Sequence, residues 1–157
     1  MRTHNDNIFG EIGGAIGKGL LAGLAGTVAI TISQMIEMRI TKRKPSEAAI
    51  KVAEQVTDVK PVADESKEKV LKEIHWTYGT CWGIARGLIG LTGLTGLAAI
   101  GTHFAAIWGT ALVMLPSFGA GPKITEEEPK TIAIDVMHHA IYAIAAGCTY
   151  DTLDSGR

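Results

Sequence analysis

Cysteine chemistry is almost missing from this sequence. Cys81 and Cys148 sit on different apolar runs and form no Cys-x-x-Cys pair, which removes zinc-ribbon and thioredoxin-type readings. Both are read as small buried hydrophobes. There is no nucleophile elbow, no Walker motif, no haem-attachment Cys-His pair and no His-Glu-x-x-His, so no familiar enzyme site is present. No basic stripe exists, which argues against a nucleic-acid partner. A cleavable leader is not expected either. Met1–Asn7 holds one arginine, and the first apolar run ends in Gln34-Met-Ile-Glu37 without a small-residue cleavage site.

The charges that do occur are unevenly placed. They make up 20% of the 157 residues and crowd into 37–73 and 123–130. Between them lie apolar runs rich in glycine, of which there are 19. Glycine inside apolar runs suits close helix–helix approach in a membrane. Four such runs are expected to span a lipid bilayer: 14–38, 74–91, 97–116 and 130–149. The fold class is then all-α, a four-helix transmembrane bundle forming a single membrane domain. A soluble bundle would need a polar face on each helix, and 97–116 has almost none. Gly13/Gly17, Gly19/Gly23 and Gly79/Gly83/Gly87 repeat at helical spacing. These faces are expected to pack helices tightly and could also support a homo-oligomer.

Residues 39–73 differ. Pro45-Ser46-Glu47 marks a helix start with Ser46 as cap, and Ala49, Val52, Ala53 and Val56 recur at helical spacing. Pro61 breaks that run, and a second start near Asp64 continues into the span at His75. The loop is thus an amphipathic helix with a solvated face. It carries Arg39, Lys42, Arg43, Lys44, Lys51, Lys60, Lys67, Lys69 and Lys72, and the next loop on that side adds Lys123 and Lys130. The positive-inside rule places both loops in the cytoplasm and both termini outside.

Ionisable residues inside spans are functional candidates by default. Helical rise places Arg86 and His103 roughly 8–10 Å below the outer interface. Trp82, one turn from Arg86, offers it a π face. This bookkeeping gives Arg86 no carboxylate; its partners are His103, Trp82 or backbone carbonyls. At the cytoplasmic end Glu37, His75, Asp135 and His138 form a candidate metal or proton site, since carboxylates and imidazoles are the usual ligands. Asp135 can reach either His138 or His139 on its own helix. Helix-end anchoring and simple satisfaction of polar groups account for the same residues. Haem held by His103 and a histidine of the last span is a further, poorly matched option.

The strings His75-Trp-Thr-Tyr-Gly-Thr80, His103-Phe-Ala-Ala-Ile-Trp-Gly-Thr-Ala-Leu-Val-Met-Leu-Pro116 and Ile134-Asp-Val-Met-His-His-Ala-Ile-Tyr142 resemble small uncharacterised bacterial four-span membrane proteins. That resemblance implies a multi-pass protein of the bacterial cytoplasmic membrane and carries no reaction, cofactor or ligand. Three kinds of function follow as expectations. One is a small accessory, channel or carrier protein, its polar pathway joining Arg86 and His103 to Asp135 and His138. Another is a metal- or haem-binding membrane enzyme or sensor. The third is an anchor that docks a partner through 39–73.

Overall fold

The computed structural model describes residues 4–57 and 64–155. Among them every regular element is helical: α1 (His4–Thr41), α2 (Ala48–Thr57), α3 (Asp64–Leu91), α4 (Gly96–Ser117) and α5 (Pro129–Asp154), with one 3-10 turn at Ile124–Glu126. The local causes are readable. Lys42, at φ 59°, ends α1 in a left-handed conformation. The Ser46 hydroxyl accepts the Ala48 N–H at 3.2 Å, the cap expected at the start of α2. Gly93 and Gly96 have φ of 83° and 57°, which lets α3 turn into α4 within four residues. Pro129 stands in the first turn of α5, where its missing N–H is harmless. The break expected at Pro61 lies outside the described residues.

Three helical stretches are long and apolar enough to cross a membrane: Ile8–Thr41, Gly96–Ser117 and Pro129–Asp154. The expected span 74–91 is not among them. It lies in α3, where His75, Trp76, Tyr78 and Arg86 dilute the apolar run. Two other helices outrun expectation. α1 starts at His4 rather than 14, and α5 continues to Asp154 rather than stopping at 149.

Side chains are sorted by size in a way that suits lipid. The buried hydrophobes include Ala15, Ala22, Ala99, Ala143 and Ala146, while Leu97 is 87% and Val113 70% exposed. Small residues inside with large apolar ones outside is the membrane pattern. Three long apolar helices with that sorting make this a membrane protein. Cys81 and Cys148 follow the outward side. Both are exposed, which corrects the expectation of burial.

α1 is the central helix. It runs antiparallel to both α3 and α5 and packs along each, while α4 leans mainly on α5. The α1–α3 seam is built from small residues. A Cβ on Gly83 would strike the backbone of Gly19 and Gly23, one on Gly87 the backbone of Ala15, and one on Gly79 the side chain of Thr27. The Gly79/Gly83/Gly87 repeat therefore serves a contact within the chain. On the other side of α1, Gly26 leaves room for the Tyr142 ring, whose hydroxyl donates to the Gly79 carbonyl at 2.5 Å. Gly147 makes the equivalent space for Ile100 between α5 and α4.

α3 and α4 share a tight turn yet touch little beyond it. They splay apart like a hairpin with open legs. The bundle thus has a turn end, with the 92–95 connection and the C-terminus of α5, and a linker end, with α2 and the start of α5.

Candidate functional site

At the turn end, Arg86 is fully buried. Its Nη2 donates to Asp151 Oδ1, and its guanidinium carbon lies 4.3 Å from the Tyr150 ring centroid. Asp151 Oδ2 also accepts the Gly96 N–H at 3.3 Å, so one carboxylate ties α3, α4 and α5. Close by, Lys18 and Asp154 pair at 2.8 Å and tie α1 to α5. The expectation that Arg86 lacks a carboxylate is therefore wrong. Asp151 lies in the helical extension of α5 beyond 149, where the expected span ends. The buried positions Tyr142, Ala143, Ala146, Gly147 and Tyr150 keep one helical face going past Thr149, and that periodicity was the available signal. Trp82 is not the π partner either. Its ring meets Tyr78 edge-on, and Tyr150 takes the cation.

His103 is also fully buried. Its Nε2 donates to the Trp82 carbonyl at 3.0 Å, because a carbonyl can only accept. Nδ1 has no hydrogen-bond partner among the described residues. The ring tilts against Tyr142 at 5.8 Å. Arg86 and His103 thus pin α3 to its neighbours.

At the linker end the splayed hairpin leaves a cleft of about 800 Å³. Thr31, Gln34, Met35 and Met38 of α1 form its floor. His75, Trp76 and Tyr78 line one leg, Ile107, Ala111 and Met114 the other, and Asp135 and His139 of α5 complete it. A smaller lobe of about 350 Å³ shares Gln34, Arg43, Ala111 and Asp135 and adds Trp108, Glu127 and His138. Volumes of this size suit a small molecule.

The candidate metal ligands do not gather into one set. The Glu37 carboxylate is buried and accepts from Arg43 Nη2 at 2.8 Å and Thr41 Oγ1 at 2.8 Å. His138 Nε2 stands 3.8 Å from Glu37 Oε2, too far for a hydrogen bond, while its Nδ1 meets Ser33 Oγ at 2.9 Å. Asp135 Oδ2 accepts the Trp108 indole N–H at 2.8 Å, and Oδ1 lies 3.3 Å from His139 Nδ1. His139 Nδ1 also donates to the Asp135 carbonyl at 2.8 Å. Of the two neighbours expected for Asp135, His139 is the one in contact. His75 Nε2 bonds Thr31 Oγ1 at 2.9 Å, apart from both groups. Among the described residues no three His, Cys, Asp or Glu side chains come together as metal ligands. Arg43 is the reason for much of this: it occupies Glu37 from the loop that follows α1, a contact between positions six apart that helical spacing alone does not suggest.

No family model matches the chain, and neither the curated proteins nor the solved structures yield a match.

Proposed function

We propose that this is a four-span membrane protein that binds a small, apolar-bodied molecule in the cleft between α3 and α4. The single observation that carries the reading is the splayed hairpin. Its legs are pinned at the turn end by Arg86, Asp151 and His103 and stand open over about 800 Å³ at the linker end. A hairpin packed along its whole length would have no such site.

The fourth crossing in this reading is α3. Its obstacle is Arg86, and the Asp151 pair supports the crossing because the cation meets a carboxylate and an aromatic face instead of lipid. The cation-rich loops stand at the linker end, so the positive-inside rule faces the cleft to the cytoplasm and both termini outward. That is the arrangement the resemblance to small bacterial four-span proteins implies. The apolar walls, with Met35, Met38 and Met114, favour an adaptable binder or carrier.

Ala111 lines both lobes. Ala111→Trp should obstruct the cleft and sharply weaken saturable binding of a neutral, environment-sensitive naphthalene fluorophore by the purified protein, with unchanged helicity and elution volume. Saturable binding of unchanged affinity in Ala111→Trp refutes the cleft as the site. For the topology, single cysteines at Thr92 and Ser46 in a Cys81→Ala/Cys148→Ala background should react with a membrane-impermeant maleimide from opposite sides. Labelling from the same side refutes the crossing by α3.

A further inference from the structure

The walls of the cleft carry an electrostatic bias that its apolar body does not require. Two cations line it, and both are engaged by acids: Arg43 by Glu37 at 2.8 Å and Lys72 by Glu68 at 2.7 Å. Asp135 and Glu127 also line it, and neither makes an ion pair with a lysine or arginine among the described residues. Asp135 is the more telling of the two. Its side chain is 48% exposed although it sits on an apolar helix of a membrane protein. Its neighbours are the Trp108 indole N–H and the His139 imidazole, so each carboxylate oxygen keeps a lone pair for another donor. His138, 4% exposed, lines the smaller lobe; its Nε2 faces Glu37 Oε2 at 3.8 Å and has no hydrogen-bond partner among the described residues.

Trp108 touches this carboxylate and Trp76 and Tyr78 line the same cleft, and aromatic faces attract cations. A bare metal ion does not fit, because among the described residues no three ligands converge. An anion would meet Asp135 and Glu127. A neutral molecule would cover the half-exposed Asp135 carboxylate without supplying it a positive charge, which is costly.

We infer that the cleft takes an organic cation with an apolar or aromatic body, its positive charge set against Asp135 and its body between the aromatic and methionine side chains of α1, α3 and α4. The inference rests on the cleft being the binding site and adds the charge of the ligand. Glu127 supplies a second, weaker attraction at the mouth of the smaller lobe. His139, in contact with Asp135, can itself carry a positive charge, so its imidazolium form competes with the ligand for the same carboxylate.

The test uses two ions of one shape and opposite charge, tetraphenylphosphonium and tetraphenylborate, with the full chain in detergent micelles and equilibrium dialysis as readout. The phosphonium should bind saturably, one per chain, and the borate should show micelle partition only. Asp135→Asn, which keeps an acceptor for Trp108, should weaken phosphonium binding by roughly tenfold or more, the scale of one charge-assisted contact. Equal saturable binding of both ions overturns the inference, as does an Asp135→Asn protein that folds and binds the phosphonium unchanged. Should Asp135→Asn fail to fold, the comparison of the two ions on the unaltered chain decides alone. If the neutral fluorophore binds and is weakened in Ala111→Trp while the phosphonium does not bind, the charge inference fails and the cleft reading stands. Phosphonium binding that Ala111→Trp leaves intact removes the cleft itself.

Discussion

The two ends of this bundle use the same kinds of residue to opposite effect. At the turn end an arginine, two aspartates, a lysine and a tyrosine close on one another, and Arg86 is sealed from solvent. At the linker end an arginine, a glutamate, an aspartate and three histidines are drawn into separate small contacts, leaving Asp135 half open to a cavity. The difference lies in helix spacing. Where the end of α5 meets α1, α3 and the start of α4, its aspartates close on Lys18, Arg86 and the Gly96 N–H. Where α4 stands away, nothing forces the polar groups together.

The largest expected effect is at the sealed pair. Asp151→Ala strands a buried guanidinium, and losing one partner of a buried pair costs about 3–5 kcal/mol. Denaturant unfolding in detergent should show that loss. Adding Arg86→Leu should recover much of it, because the uncompensated charge goes too. Asp135→Ala should cost far less, since its carboxylate already meets the cleft. Equal losses at Asp151 and Asp135 would erase the distinction between the two ends.

Next in size are the glycines. Gly83→Ala drives a Cβ into the backbone of Gly19 and Gly23, and backbone cannot move aside as a side chain can. Overpacking of this kind costs about 1–3 kcal/mol. Gly101→Ala on α4 meets nothing within 4 Å and should be neutral or gain up to about 1 kcal/mol from helix propensity. A smaller loss, about 1 kcal/mol, is expected for Tyr142→Phe, which removes the hydroxyl donated to the Gly79 carbonyl. Thermal melts of the three variants side by side would rank them.

Much of the fold is legible in the sequence, because hydropathy and glycine spacing are local signals. The Gly79/Gly83/Gly87 repeat, the Gly93–Gly96 turn and the Ser46 cap are each visible within a few residues. The partner of Arg86 is not. Asp151 lies beyond the last long apolar run of α5, and hydropathy ends the span before reaching it. Acidic residues also oppose the dipole at a helix C-terminus, so Asp151 and Asp154 look misplaced until Arg86 and Lys18 are set beside them. The cleft is equally hidden. It depends on how far α4 leans toward α5, and no residue of the 97–116 run signals that angle. Asp135 and the histidines could be flagged as polar residues in apolar runs, but their division into Glu37–Arg43, Asp135–His139 and His75–Thr31 is a tertiary outcome.

The smallest effect sharpens the comparison by isolating burial from charge. Glu68 and Lys72 pair at 2.7 Å on the solvated part of α3, with side chains 70% and 69% exposed. The Lys72 ammonium, through its hydrogen bond first and its charge second, holds the Glu68 carboxyl below the usual carboxylate range. A depressed carboxyl pKa stabilises the fold above the unfolded value and loses that contribution as pH falls through the folded value. Here water and salt screen nearly all of it. Glu68→Gln should therefore leave the unfolding midpoint unchanged in low salt and in molar salt alike. The deficit of Asp151→Ala, by contrast, should persist at both, because mobile ions do not reach Arg86. A deficit in Asp151→Ala that vanished in molar salt would mean that the turn end is wet, and the contrast between a sealed end and an open one would fall with it.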